Sequence, residues 1–564
     1  MAVDDPRPQH DGRSLGGLPR WTGWDAAASL PRWVLWSAEV LAMVALALLA
    51  ARVRHPSRLF THPFWLDESW VADSTRAPWD QLRLVSLSTP IGWTVLLRAV
   101  PRWGDAERYR LLPLVFAVAG AVPAWFLGRQ LGPEPRDPVT AGRAARRPSW
   151  ARWIGPPVAG LAAVLAPTAL SYPYLKQYSA EAFTALLLVA LVAWVERRWS
   201  PVRLGVAAAV AVVSLLVANT ALFVTAAVFG GLALTSLARL AWRRLGWVAA
   251  AGAVVAVADA WIYRASVAAS NGVDMQRYWK GRFIPSTEGW DEAWRFIAPR
   301  AVIAIESIGF GPWPLALALL VAGVAALWRA GAPAAALVLP ILVVEVGVAA
   351  MQRRYPFLEA RTSMFLTVLA TVLAALGVAA LASLALRWRG TAVLGLAVLV
   401  GAGAIFLPEA RQAARVSMFD ENVRGQIRLV QELRRPGDVV VLGSMAAYQW
   451  AYYGSEQPTF VPASGARTIR FEVAFPDDRR LVVAKGRTPK FVKQALDRVP
   501  AGTRRAWVLL SHEEQMIPVW VRSARQHGGR LAAPPAHPCA AFTEAERASA
   551  GVSAGQCPML IRFG

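Results

Sequence analysis

The chain has 564 residues, 55% of them hydrophobic, and a formal net charge of +23. That is too apolar for a soluble protein of this length. Its basic residues sit mostly in short connectors between apolar runs, not in one patch with interleaved aromatics. This speaks against nucleic acid as a partner and for a membrane in which arginines set orientation.

Residues 1–32 are polar, with Pro, Gly and Arg, and lack the apolar core of a signal peptide. They read as a disordered cytoplasmic leader. Eleven apolar runs follow, at 33–51, 111–131, 153–170, 180–195, 204–217, 221–240, 247–263, 312–328, 334–350, 363–386 and 392–407. A span needs about 20 residues. The pattern therefore predicts a polytopic α-helical membrane protein of about 11 transmembrane helices, with its membrane domain at 33–408.

A twelfth segment, 90–100, is apolar but short, carries Arg98 near its end and is followed by Pro101. It is expected to be interfacial or re-entrant, because crossing would draw a charge into the bilayer. With the N-terminus inside, the loops 132–152, 196–203, 239–244, 329–333 and 387–390 are then cytoplasmic, as the positive-inside rule asks. One connector, 352–361, breaks the rule with three arginines. The same parity places outside the first loop 52–110, the turn 171–177, the loop 264–311 and everything after Pro408. The protein is thus expected in the plasma membrane, multi-pass, with an extracytoplasmic domain at 409–564. Buried-strand runs at 438–442 and 505–510 alternate there with helix-like stretches at 444–453 and 490–497, an α/β pattern. Its Cys539 and Cys557, the chain's two cysteines, could bridge in an oxidising compartment.

Three clusters could carry chemistry. Asp67-Glu68 lies between Trp65 and Trp70. Paired carboxylates at a membrane edge can take a proton from an attacking sugar hydroxyl. Asp67 could equally cap a short helix at 68–72. The second cluster is Tyr172-Pro173-Tyr174-Leu175-Lys176-Gln177-Tyr178-Ser179-Ala180-Glu181. Its compact cation Lys176 suits a lipid-linked phosphate, while the tyrosines could serve as interfacial anchors. The third is Arg353-Arg354-Tyr355-Pro356-Phe357 with Arg361, against the charge rule. A phosphate is one natural partner for it, and a lipid head group or Glu359 is another. Asp259 and Glu345 lie inside predicted spans, and Tyr278-Trp279-Lys280 lies in a later loop. No Walker loop or dinucleotide glycine motif is present, and no Cys/His cluster has zinc spacing.

These residues resemble a family. The Asp-Glu pair occurs with Thr89-Pro90-Ile91-Gly92-Trp93, Glu107, Arg110-Leu111-Leu112-Pro113, Leu175–Glu181, and Tyr355-Pro356-Phe357 before Arg361-Thr362-Ser363. The set is similar to the GT-C class of membrane glycosyltransferases. That class includes protein O-mannosyltransferases and lipid A aminoarabinose transferases, and the late motif resembles its actinobacterial members. The likeness covers roughly 60–370. Where the family has His-Pro-Pro this chain has Ser88-Thr89-Pro90, and the C-terminal domain matches no module of the family.

The resemblance implies an inverting transfer of a sugar from a polyprenyl-phosphate donor to a cell-envelope acceptor, among membrane lipids at the outer face. Asp67 would be the base and Glu68 would position it. Lys176 and Arg361, with Arg354 and Tyr355, would hold the donor phosphate, and Trp65, Tyr178 and Glu181 would meet substrate. No cofactor is expected; a divalent metal is possible but not indicated. A transporter of lipid-linked sugars or an envelope scaffold is the rival reading.

Overall fold

The computed structural model describes residues 31–86, 89–101, 106–132, 150–172, 174–264, 273–287, 289–386, 391–415, 421–463, 471–552 and 556–563. The expected leader, Ser88, Pro173, most of the loop 132–152 and the loop 387–390 lie outside them. The chain forms two compact units, Met1–Ala45 and Leu46–Gly564. In the first, the described residues begin the helix Arg32–Val53.

Each predicted apolar run is helical. Among the described residues, nine helices are long and apolar enough to cross a membrane: Trp33–Val53, Glu107–Arg129, Ala151–Ser171, Tyr178–Arg197, Ala221–Ala238, Trp242–Ile262, Pro333–Met351, Met364–Ala385 and Ala392–Arg415. Pro201–Val217 and Trp313–Arg329 are shorter apolar helices. Proline opens several of them at a position whose N–H would be unpaired anyway, as at Pro201 and Pro333. The architecture is that of a multi-pass membrane protein. The segment 90–100 folds as Ile91–Ala99, a helix of nine residues and too short to cross.

Met364–Ala385 runs through the middle of the bundle, buried along nearly its whole length. Small residues let Trp313–Arg329 approach it. A Cβ at Gly323 would collide with the Leu373 carbonyl oxygen, and one at Gly377 with that of Leu319. Backbone contact of this kind drives helix association where lipid removes the hydrophobic drive.

The connectors sort to two ends. At one, Glu196 accepts from the Ala334 N–H at 2.6 Å and lies 3.7 Å from Arg244. Arg197 donates there to the carbonyls of Gly132 and Ala330, at 2.9 and 3.2 Å. These are the loops that charge parity assigns to one face. At the other end of Tyr178–Arg197, about 30 Å away at 1.5 Å per residue, lie the first loop, Lys176 and the C-terminal sheet.

That sheet has the order β4-β1-β5-β7-β6, where β1 is Val439–Leu442, β4 Leu481–Val483, β5 Arg505–Leu509, β6 Gly529–Leu531 and β7 Met559–Phe563. β4, β1 and β5 are parallel, and β7 pairs antiparallel with β5 and β6. All four residues of β1 are buried, as expected of a strand covered on both faces. Thr459–Pro462 and Phe471–Ala474, β2 and β3, form a separate antiparallel pair. β1, β5 and the helices Ala446–Tyr453 and Pro489–Asp497 fall where the α/β alternation predicts them. A disulfide joins Cys539 and Cys557.

Candidate active site

The helix Leu66–Ser74 starts the site. Its N-cap is Trp65, with extended backbone and no side-chain capping bond, so both carboxylates fall in the first turn. The expectation that Asp67 caps this helix is corrected: the helix begins two residues earlier, at Leu66, which makes Asp67 its second residue. There the carboxylates still favour the helix dipole. Successive helical residues are turned by about 100°, so the two acids face different surroundings.

Glu68 turns inward and is fully buried. Its Oε1 accepts from Arg110 Nε at 2.9 Å and from the Leu175 N–H at 3.0 Å, and its Oε2 accepts from Arg110 Nη2. Arg110, also fully buried, donates further to the carbonyls of Leu59, His62 and Pro63 at 2.8, 2.6 and 3.2 Å. A buried charge persists only with partners of this quality. The pair therefore pins the first loop to the start of the span Glu107–Arg129 and to the 174–177 turn. Trp93 Nε1 reaches the same turn, donating to the Leu175 carbonyl at 3.0 Å.

Asp67 turns the other way and keeps some exposure. Its Oδ2 accepts from Lys176 Nζ at 2.7 Å, and the ammonium lies 4.7 Å from the centre of the Trp70 ring. Burial works against the charge on Lys176, but Asp67 and Tyr178 outweigh it and raise its pKa. Arg361 is held in the same way: burial opposes its charge, while Tyr178, Glu359, Asp67 and the Tyr278 hydroxyl more than compensate. Glu359 accepts the Arg361 and Thr362 backbone N–H groups, at 3.1 and 2.9 Å. Two carboxylates, Asp67 and Glu359, and two cations, Lys176 and Arg361, from three distant segments, thus share one electrostatic neighbourhood.

The other candidate residues take varied places. Tyr178 is buried within reach of Lys176, Arg361 and Asp67. Glu181 is buried one helical turn deeper and accepts from Gln177 Nε2 at 3.3 Å. The Tyr355 hydroxyl donates to the Thr362 carbonyl at 2.6 Å, under the 355–362 loop. Arg354 is exposed at the end of Pro333–Met351. Trp65 is buried between Tyr174 and His512, with ring centres 5.4 and 5.5 Å apart. Inside the bundle, Thr225 donates to Asp259 at 3.1 Å.

Several partners escape a residue-by-residue reading. Arg110 lies in the Arg-Leu-Leu-Pro stretch, where the family likeness flags it without giving it a role. Glu359, named above as an alternative partner of the arginine cluster, does pair with Arg361, at 3.4 Å from Oε1 to Nε, and Tyr278 of the Tyr278-Trp279-Lys280 loop joins them. The C-terminal α/β region supplies more: Tyr453 accepts from the Phe64 N–H at 2.7 Å and donates to Glu107 at 2.9 Å, and Arg424 pairs with Glu107 at 2.7 Å.

Solved structures share this architecture. The Archaeoglobus fulgidus oligosaccharyltransferase in complex with Zn and sulfate matches with a TM-score of 0.50 and 11% identity, over 86% of this chain and 69% of that one. The archaeal oligosaccharyltransferase AglB from Archaeoglobus fulgidus, in complex with an inhibitory peptide and a dolichol-phosphate, matches with a TM-score of 0.51 and 10% identity. That match covers 91% of this chain and 73% of the other. The fold is of the GT-C type. No family model matches the chain. No curated protein matches it.

Each carboxylate of the Asp-Glu pair is already neutralised by a cation, Asp67 by Lys176 and Glu68 by Arg110. Among the described residues, no three His, Cys, Asp or Glu side chains gather as ligands.

Proposed function

We propose that this protein is an inverting membrane glycosyltransferase. It takes a sugar from a polyprenyl phosphate and passes it to a hydroxyl of a cell-envelope glycan, lipid or protein. The observation that carries the reading is the Asp67–Lys176 pair, at 2.7 Å, with Arg361 within electrostatic reach. It supplies one base and two phosphate-binding cations at one end of a GT-C bundle.

In this reading Asp67 accepts the proton of the acceptor hydroxyl as its oxygen attacks the anomeric carbon. The bond from that carbon to the phosphate oxygen breaks, with inversion, and the electron pair leaves on the polyprenyl phosphate. Lys176 and Arg361 meet the charge that develops there, in a site with little water. Glu68 does not react; locked by Arg110, it sets the direction of the helix that presents Asp67. Binding of the donor draws Lys176 from the carboxylate to the phosphate and leaves Asp67 to the acceptor. Arg354 belongs to the outer rim, and Tyr355 supports the Arg361 loop. The dolichol-phosphate bound in the AglB complex supports a lipid phosphate as the donor's anchor.

The domain limits follow the same reading: a catalytic membrane domain at 33–408, and an extracytoplasmic domain at 409–564 that takes part in acceptor recognition. The N-terminus is cytoplasmic and the site faces outward at the plasma membrane. The test is to incubate the purified protein with synthetic polyprenyl-phosphate sugars and envelope glycan fractions. Release of polyprenyl phosphate coupled to labelled glycan is expected. Its absence across a broad panel of sugars and acceptors would overturn the reading.

A further inference from the structure

The parallel strands β4, β1 and β5 end on the side of the C-terminal domain where doubly wound sheets carry their functional loops. The loop after β5 holds His512. Its backbone is left-handed, with φ of 50°, a conformation that residues with a Cβ adopt rarely and that clusters at functional sites. Glu421 holds it there. Glu421 Oε1 lies 3.1 Å from both the His512 backbone N–H and the ring Nδ1, so one carboxylate fixes main chain and imidazole together. Gln449, fully buried, donates to Oε2 at 3.3 Å. The carboxylate stays ionised: burial raises its pKa, but the His512, Ser511 and Gln449 hydrogen bonds bring it below its ordinary value.

The imidazole is spent on the first loop. It stacks on Trp65 at 5.5 Å between centres and 29° between planes, two residues before Asp67. The preceding residue is gripped from the same domain, since the Phe64 N–H donates to Tyr453 and its ring lies 5.3 Å from Tyr452. Both aromatic residues leading into the helix that carries Asp67 are therefore held by the C-terminal domain.

We propose that His512 is a positioning residue of the transfer site: oriented by Glu421, it fixes Trp65 and, through it, the first helical turn that presents Asp67. The proposal rests on the glycosyltransferase reading for its catalytic consequence, but not for the mechanical link. Misplacement of a reacting group by about 1 Å can cost on the order of 100-fold in rate. A loosened Trp65 thus lowers kcat rather than donor affinity.

The full-length protein in detergent is compared as wild type, His512→Ala, His512→Phe and Glu421→Gln. Histidine tolerates a positive φ better than alanine or phenylalanine, so His512→Ala and His512→Phe add a similar backbone strain and the comparison between them isolates the ring. Hydrogen exchange of the peptide spanning 62–72 reads the link, and kcat and KM for donor and acceptor read its consequence. His512→Ala is expected to unfold cooperatively, exchange faster in that peptide and lose about tenfold or more in kcat, with donor KM within about threefold. His512→Phe keeps a stacking ring and is expected to recover most of both. Glu421→Gln should fall between, and it serves as the test if the histidine variants do not fold. Wild-type exchange in His512→Ala overturns the proposal. So does a higher acceptor KM with unchanged kcat, which would make His512 an acceptor contact instead. If wild-type protein transfers no sugar at all, the reaction assignment fails, and the exchange data still decide whether His512 holds the loop.

Discussion

Lys176 Nζ donates to Asp67 Oδ2 at 2.7 Å, joining two residues 109 apart in sequence. In the proposed transfer Lys176 has two successive anionic partners, the carboxylate at rest and the donor phosphate at work. Lys176→Gln removes one charge-assisted hydrogen bond to the phosphate, worth about 1.5–3 kcal/mol, or about 10- to 100-fold in donor KM. Arg361→Ala should act in the same direction. Acceptor KM should move little in either variant. Steady-state kinetics with the donor varied check this, and a donor KM unchanged in both variants would remove the phosphate from this place.

Arg110 serves stability more than chemistry. With Glu68 fully buried beside it, Arg110→Met leaves a carboxylate without its cation, a loss of about 3–5 kcal/mol. The double variant Glu68→Met/Arg110→Met removes both charges and should recover much of that loss. Thermal unfolding of the three purified proteins measures it. If the double variant is no more stable than Arg110→Met, the damage comes from the lost carbonyl contacts at Leu59, His62 and Pro63 rather than from the stranded charge.

Much of this was legible in the sequence, for reasons tied to range. A span or a buried strand is a local pattern, so the apolar runs and the stretches at 438–442 and 505–510 mark real elements. Charge parity, summed over many loops, grouped the connectors that meet around Glu196. Asp67, Lys176 and Arg361 stood out because each is unusual where it lies. The grip of Tyr453 and His512 on Phe64 and Trp65 did not, because aromatic contacts across about 400 residues leave no spacing signal. The cap was misplaced by two residues, since helix starts are marked by side-chain acceptors and this one is capped by a tryptophan.

Asp73 gives a pH-dependent test of the same helix. It is fully buried, and neither carboxyl oxygen has a hydrogen-bond partner among the described residues. Burial pushes its pKa well above the ordinary 3.8, and nearby Arg76 only partly pulls it back. The folded state thus binds this proton more tightly than the unfolded chain. Its contribution is fully present below the unfolded pKa and is lost as pH rises toward the folded one. Asp73→Asn carries no such proton, so its melting temperature relative to wild type should climb as the pH is raised above the unfolded pKa of about 4. A constant difference across that range would mean that Asp73 is ionised and paired in the folded protein.

Asp67→Asn is the decisive substitution for the enzyme reading. Asparagine keeps the shape of the side chain but cannot accept the acceptor's proton. The structural cost is modest, because Trp65 and not Asp67 is the helix N-cap and Glu68 alone carries the lock to Arg110. What is lost locally is the favourable interaction with the helix dipole, about 0.3–1 kcal/mol, and the ionic part of the contact with Lys176. Cooperative unfolding should therefore persist near the wild-type temperature. Donor KM should hold or fall, since Lys176 no longer has to leave a carboxylate for the phosphate. Turnover should drop by about two to four orders of magnitude, the usual worth of a general base. The assay is transfer from a synthetic polyprenyl-phosphate sugar, with wild type and variant purified in parallel and donor binding measured separately. Near-normal turnover in a folded Asp67→Asn protein would remove Asp67 as the base. Lost donor binding with a normal rate at saturation would reassign it to holding Lys176 in place for the phosphate.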